Sequence, residues 1–222
     1  MSGEILVTRR GIVPYEEARE LQRGLAEQRQ KGEIGDVLLL LEHPPVYTRG
    51  RRSQPQELPM GASWYEAQGI EVRDTDRGGL VTYHGPGQLV AYPIVDLRGY
   101  GDDVHEYVRG LERTMIAALG EAGVRAGTIE GLTGVWVGTR KIGSIGLHVS
   151  RGVTTHGLAV NVSNDLQPFE WVVPCGIEGV SMTSLTRELG AEQDLGAFAD
   201  TLVAAYAEVF DRKPVAQADL AA

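Results

Sequence analysis

Lys141-Ile142-Gly143-Ser144-Ile145-Gly146-Leu147-His148-Val149, then Ser150-Arg151-Gly152, then Val153-Thr154-Thr155-His156-Gly157-Leu158-Ala159-Val160-Asn161, is the stretch on which the fold turns. Two runs rich in β-branched and aliphatic residues are split by a short polar turn that carries glycine. This is the signature of a hairpin, so the two strands are antiparallel. Residues 134–137 add a strand just before them. Working outward, 14–30 reads as an amphipathic helix with Pro14 at its start and Tyr15, Ala18, Leu21 and Leu25 on one face. Residues 36–42 read as a buried strand, and 5–9, 70–74 and 89–95 as further strands. A second helix covers 104–122, with Val104, Tyr107, Leu111, Met115 and Ala118 at helical spacing. A short helix at 183–189 and a longer one at 195–209 follow. Residues 43–63, with Pro44, Pro45 and three arginines, read as a long irregular loop. Strands and helices mix without strict alternation. The expectation is a single α+β domain over 1–213, with one central mixed, largely antiparallel sheet and packed helices. Residues 214–222 are expected to be a frayed tail.

Composition narrows the function classes. The 222 residues carry 21 basic against 30 acidic side chains, a net charge of −9. That excludes the basic face a nucleic-acid binder needs. No apolar run approaches a membrane span, and residues 1–10 lack the apolar segment of a signal peptide. One cysteine allows no internal disulfide, and the simplest address is a reducing cytoplasm. The five histidines lack metal-ligand spacing, and there is no phosphate loop or dinucleotide fingerprint, so no metal and no cofactor are expected. Against the acidic total stand local arginine clusters: Arg49, Arg51 and Arg52, then Arg73 and Arg77, then Arg140 with Lys141. They read either as scattered solvated charges or as a landing site for an acidic partner or a phosphate. Only Lys31, Lys141 and Lys213 are lysine, and Lys141 lies in a glycine-rich segment.

Three residues are candidates for chemistry. Cys175 lies in Val173-Pro174-Cys175-Gly176, where proline and glycine mark a tight turn. A lone cysteine is otherwise a small buried hydrophobe, and reactivity requires a cationic or basic neighbour that yields thiolate. Lys141 is one such neighbour, set against the alternative of a solvent-facing lysine on a hairpin edge. His84, in Thr82-Tyr83-His84-Gly85-Pro86-Gly87, is the other candidate base, set against a histidine that caps a turn. His148 and His156 flank the hairpin and are placed to pair across it.

Taken together, Leu39-Leu40-Leu41-Glu42-His43-Pro44-Pro45-Val46-Tyr47-Thr48, Arg77-Gly78-Gly79-Leu80-Val81-Thr82-Tyr83-His84-Gly85-Pro86-Gly87-Gln88, Arg140-Lys141-Ile142-Gly143-Ser144-Ile145-Gly146 and Pro174-Cys175-Gly176-Ile177 resemble the lipoyl(octanoyl) transferases, also called lipoate–protein ligase B. The resemblance runs in order from about Tyr15 to Leu189. It implies the fold of biotin and lipoate ligases, with 1–213 as the catalytic domain. It implies transfer of an octanoyl group from acyl carrier protein to a lysine of a lipoyl domain, without ATP. The acceptors would be the lipoyl domains of 2-oxoacid dehydrogenase complexes and the glycine cleavage H protein. By motif, Cys175 matches the acyl-thioester nucleophile and Lys141 the lysine that lowers its pKa. Arg77, Gly78, Gly79, Leu80, Val81, Thr82, Tyr83 and His84 match the acyl-substrate pocket, as do Ser144, Ile145 and Gly146 and also Gly157, Leu158 and Ala159. An acidic carrier makes Arg49, Arg51 and Arg52 the expected docking patch. Two rivals stand beside this reading. One is an ATP-dependent lipoate or biotin ligase, which needs no thiol. The other is a non-catalytic acyl-protein binding module.

Overall fold

A computed structural model describes residues 3–172 and 180–217. In chain order the elements are β1 (Gly3–Ile12), α1 (Tyr15–Lys31), β2 (Asp36–Glu42), β3 (Val46–Arg49), α2 (Ala62–Ala67), β4 (Glu71–Asp74), β5 (Val81–His84), β6 (Gln88–Ile94), α3 (Val104–Glu121), β7 (Gly127–Ile129), β8 (Leu132–Val137), β9 (Arg140–Ser150), β10 (Val153–Asn161), α4 (Leu185–Leu189), α5 (Leu195–Phe210) and β11 (Arg212–Ala216). The expected hairpin is β9 and β10, antiparallel, with Gly146 opposite Gly157 and Ser150 opposite Val153.

Eight strands form the main sheet in the order β11-β1-β2-β6-β10-β9-β8-β7. β11–β1 and β1–β2 are parallel. The remaining neighbours, from β2–β6 to β8–β7, are antiparallel. The run Val37 to Leu41 explains why the centre is dry on both sides. Successive side chains point to opposite faces, so Leu38 and Leu40 join the core under α3 and α5, while Val37, Leu39 and Leu41 join the core under α1. A strand covered on both faces reads as a continuous apolar run rather than an alternating one.

The helices are fastened by local chemistry. The Asp103 carboxylate accepts from the His105 and Glu106 amides at the start of α3, and Asp194 accepts from Ala197 N at the start of α5; each satisfies amides that lack an intrahelical partner. α1 ends on Gly32, whose φ of 75° is the left-handed conformation that glycine adopts without steric cost. α3 and α5 lie together, with the Tyr107 and Tyr206 hydroxyls 2.8 Å apart in the core.

Three expectations are corrected. Residues 43–63 are not one irregular loop: Val46–Arg49 is a strand, and β4-β3-β5 form a second, three-stranded sheet. The proline pair before it and the short length of β3 hide its periodicity, and β3 exists through non-local pairing with β4 and β5. This small sheet has its own core of Tyr47, Tyr65, Val81, Tyr83 and Phe169. Pro214, Val215 and Ala216, expected in a frayed tail, belong to edge strand β11, which pairs with β1. An edge strand tolerates a proline because one side of its backbone makes no ladder. His148 and His156 do not pair across the hairpin: Thr155 stands opposite His148 and Leu147 opposite His156.

Gly110 on α3 tests this packing. A Cβ there would run into the Phe210 ring of α5. Gly→Ala inside a helix gains up to about 1 kcal/mol of propensity, but overpacking a close-packed site costs about 1–3 kcal/mol. Gly110→Ala is therefore expected to lower Tm by several degrees; a raised Tm on thermal melting would show that the α3–α5 contact is loose.

Candidate active site

One cavity of about 480 Å³ opens where the two sheets meet. Its walls are the segment from Arg77 to Thr82, Lys141 and Ser144 to Leu147 of β9, and His156 to Ala159 of β10. Val104 and Val108 of α3, Leu132 and Trp136 of β8, and Tyr15 of α1 also contribute. The body is apolar. No aspartate or glutamate is among the described lining residues, in a chain that carries 30 of them.

The sequence-selected residues converge here. Arg77, Gly78, Gly79, Leu80, Val81, Thr82, His84, Lys141, Ser144, Ile145, Gly146, Gly157, Leu158 and Ala159 all line the cavity. Tyr83 does not: its ring packs on Tyr47 and Phe169 in the small-sheet core. Strand alternation sends Thr82 and His84 one way and Tyr83 the other. Cys175 lies in 173–179, outside the described residues.

Glycines make room for the walls. A Cβ on Gly146 would stand 3.0 Å from Gly78 O and 3.1 Å from Arg77 Cδ. A Cβ on Gly157 would collide with the Ala91 carbonyl and the Pro93 ring. The opposing glycines of the hairpin thus let the Arg77–Gly78 segment and β6 close in on either side. Arg77 is buried and held: Nη2 donates to Thr48 O at 2.6 Å and to Thr48 Oγ1 at 2.8 Å, and Nη1 donates to Gly78 O at 2.9 Å.

Lys141 is not a solvent-facing edge lysine: only 6% of it is exposed. Its ammonium nitrogen lies 5.3 Å from the centre of the Trp136 ring. Its backbone is clamped by the chain that follows residue 179: Lys141 N donates to Ser181 O, and Thr183 N donates to Lys141 O, both at 2.9 Å. Beneath it, Gly134 has φ 117°, and a Cβ there would stand 2.7 Å from Lys141 Cε and 2.5 Å from Gly143 O. Gly134 N donates to Glu112 Oε1 at 2.9 Å, a buried carboxylate on α3. A helix side chain thereby fixes the strand on which the lysine rests.

The tautomer of His84 follows from a chain of donors. Asn161 Nδ2 donates to Thr183 O at 3.0 Å, leaving Oδ1 to accept from Gln88 Nε2 at 2.9 Å. Gln88 Oε1 must then accept, and His84 Nδ1–H donates to it at 2.6 Å. Burial, helped by neighbouring His43 and Arg77, pushes the His84 pKa well below the ordinary histidine value. His84 is thus neutral with an unprotonated Nε2. His43 is neutral for the same first reason, burial, which takes it down to about 4; Nδ1 donates to Val13 O and Nε2 accepts from Tyr92 OH, both at 2.7 Å. His156 bonds Asp76 Oδ1 through Nε2 at 2.8 Å, and that bond holds the Asp76 carboxyl below the usual range. His148 Nε2 lies 3.7 Å from Asp76 Oδ2. Sequence reading missed Asp76, Gly134, Trp136 and Tyr92. The adjacency of Asp76 to Arg77 was a visible signal; Tyr92 sat inside a run that reads as core.

These buried neutral histidines set a pH dependence. The unfolded chain protonates His43 near 6.5 but the folded chain near 4. Between those values the unfolded state binds more protons, so stability falls as pH drops. For His43 alone the loss is roughly 3 kcal/mol. Chemical denaturation from pH 7 to pH 4 should show this decline, shallower in His43→Gln; equal slopes would refute the assignment.

The lipoyl protein ligase A/B catalytic domain model matches residues 14–207. An octanoyltransferase of Chloroflexus aggregans is 50% identical over 208 residues, covering 92% of this chain and 94% of that one. Among solved structures, the bi-partite lipoate protein ligase of Thermoplasma acidophilum superposes with TM-score 0.72 at 16% identity, over 99% of this chain and 88% of that one. The biotin protein ligase of Aquifex aeolicus gives TM-score 0.52 at 12% identity, over 94% and 69%. The two structures establish the shared fold, and the match over 14–207 together with the half-identical relative establishes the family. The chain belongs to the lipoyl protein ligase A/B catalytic-domain family, in its lipoyl(octanoyl) transferase branch.

Proposed function

We propose that this acyltransferase moves an octanoyl group from acyl carrier protein, through a thioester on Cys175, to a lysine of a lipoyl domain. One observation carries the reading: a buried lysine stands in the wall of an apolar cavity whose described lining has no carboxylate, and the chain leaving the Cys175 segment is hydrogen-bonded to that lysine's own backbone. An apolar cavity suits an eight-carbon chain. A cation beside a thiol favours thiolate.

In the first step Cys175 Sγ attacks the thioester carbonyl. The donor C–S bond breaks, and the carrier leaves as a thiol with the proton that Cys175 gave up by way of Lys141. One thioester replaces another, so the exchange is nearly balanced. In the second step the acceptor lysine nitrogen attacks the Cys175 thioester and passes a proton to Lys141. The second C–S bond breaks, Cys175 regains its proton, and an amide remains. Amide formation drives the sequence without ATP. The acceptors are the lipoyl domains of 2-oxoacid dehydrogenase complexes and the glycine cleavage H protein. No described helix is long and apolar enough to cross a membrane, and a single cysteine suits a reducing cytoplasm.

Intact-protein mass spectrometry after mixing with octanoyl carrier protein, without ATP, decides the mechanism. An octanoyl mass gain is expected on the wild type, absent in Cys175→Ala, removed by hydroxylamine and passed on to added lipoyl domain. An unmodified enzyme and an unmodified lipoyl domain would refute the proposal, and ATP-dependent modification by free octanoate would replace it with a ligase. Gly134→Ala should slow single-turnover acylation of Cys175 about tenfold or more, because the added methyl occupies the space of the Lys141 stem. Unchanged acylation in a folded Gly134→Ala protein would separate Lys141 placement from the chemistry.

A further inference from the structure

The cations around the cavity are not equivalent. Arg77 is spent on Thr48 and Gly78. Lys141 is buried beside Trp136. Arg49 forms a two-point pair with Asp74, Nε to Oδ1 at 2.7 Å and Nη2 to Oδ2 at 2.8 Å. Arg73 pairs with Glu71 and Arg140 with Glu188. Arg51 and Arg52 differ: both are exposed, and neither side chain has a hydrogen bond or ion pair among the described residues. Arg52 lines the cavity.

Their turn is nonetheless rigidly attached to the cavity wall. Arg51 N donates to Arg77 O at 3.0 Å, Arg52 N donates to Gly79 O at 3.2 Å, and Ser53 N closes the turn on Gly50 O at 2.9 Å. Gly50 is packed so closely that a Cβ would stand 2.5 Å from Gly79 O and 2.8 Å from Arg77 Nη1. The backbone that carries these two arginines is therefore pinned, and Arg52, with Arg51 beside it in the turn, stands at a cavity whose described lining has no carboxylate, in a chain of net charge −9. Two adjacent arginines with no anionic partner among the described residues present unneutralised positive charge to an incoming ligand. An apolar interior with a cationic rim matches an amphipathic ligand whose apolar end enters and whose anionic end stays outside.

We propose that Arg51 and Arg52 form a subsite for the phosphate of the arm on which the carrier presents its acyl thioester. This rests on the transferase reading above and adds to it which part of the donor is recognised. The planar guanidinium fork suits phosphate oxygens. Binding there holds the arm while the acyl chain enters the apolar body.

Three donors separate the sources of negative charge: octanoyl-pantetheine, which lacks phosphate; octanoyl-4′-phosphopantetheine, which adds it; and the octanoyl carrier protein. The readout is the ratio of kcat/KM for the phosphorylated small donor to that for the unphosphorylated one. In Arg51→Gln/Arg52→Gln this preference should fall about tenfold or more relative to wild type, since charge-assisted bonds to phosphate are lost. Arg51→Lys/Arg52→Lys should restore part of it and keep the salt dependence. An unchanged ratio with weaker use of the carrier protein alone would overturn the phosphate assignment in favour of carboxylates on the carrier surface. An equal loss on all three donors would overturn it in favour of a structural turn. If wild-type enzyme is acylated by none of the donors, the transferase reading itself fails, a result distinct from both.

Discussion

The register of the β9–β10 ladder, with Gly146 opposite Gly157, is the constraint on which the cavity depends. Every described wall is placed relative to that hairpin. Lys141 and Ser144 to Leu147 come from one strand and His156 to Ala159 from the other. Gly78 N donates to Leu147 O at 2.8 Å, which ties the arginine–glycine segment to the hairpin, and the Asp76–His156 bond ties it a second time. A slip of one residue would exchange the faces of the whole strand. It would also put side chains where the Arg77 stem and the Ala91 carbonyl now sit.

From this frame a second level of order follows. His156 has φ 57°, a left-handed conformation uncommon for a non-glycine residue. Its amide donates to Gln22 Oε1 of α1 at 2.6 Å, so the irregular backbone is answered by a helix side chain. On the other face Glu112 of α3 does the same for Gly134. The helices therefore do more than cover the sheet. Each sends one polar side chain into it at the point where the strand departs from regular geometry, and both points adjoin the cavity. Buried polar groups of this kind hold position because leaving either partner unpaired costs about 1–3 kcal/mol.

The histidine cluster shows how burial and bonding share the work. His43, His84 and His156 sit close together, with His43 and His84 ring centres 5.5 Å apart. Two imidazolium ions at that distance in a dry site would repel. Each ring is instead kept neutral by desolvation and oriented by fixed partners: Val13 O and Tyr92 OH for His43, Gln88 Oε1 for His84 and Asp76 for His156. The Gln88–Asn161–Thr183 chain runs on to the backbone of Lys141. The two candidate bases of the sequence reading thus share one hydrogen-bonded scaffold.

Taken alone, the sequence determined the elements whose signals are local. The β9–β10 hairpin was legible from a polar glycine turn between two β-branched runs, β2 from its unbroken apolar run, and α3 from the spacing of Tyr107, Leu111, Met115 and Ala118. Its motifs also picked out most of the described residues that meet at the cavity, Tyr83 excepted, because motif order survives without geometry. Tertiary structure alone decided the rest. β3 and β11 are short, and each is a strand only because a distant segment pairs with it. Tyr83 meets Tyr47 and Phe169 in the core of a second sheet, and Lys141 is buried beside Trp136 with its backbone held by Ser181 and Thr183. Arg49 is neutralised by Asp74, 25 residues away in the chain, while Arg51 and Arg52 stay exposed and Arg52 lines the cavity. Local periodicity tells which face a side chain takes. Which partner waits on that face is set by contacts between segments far apart in the chain, and those are carried by packing rather than by any window of sequence.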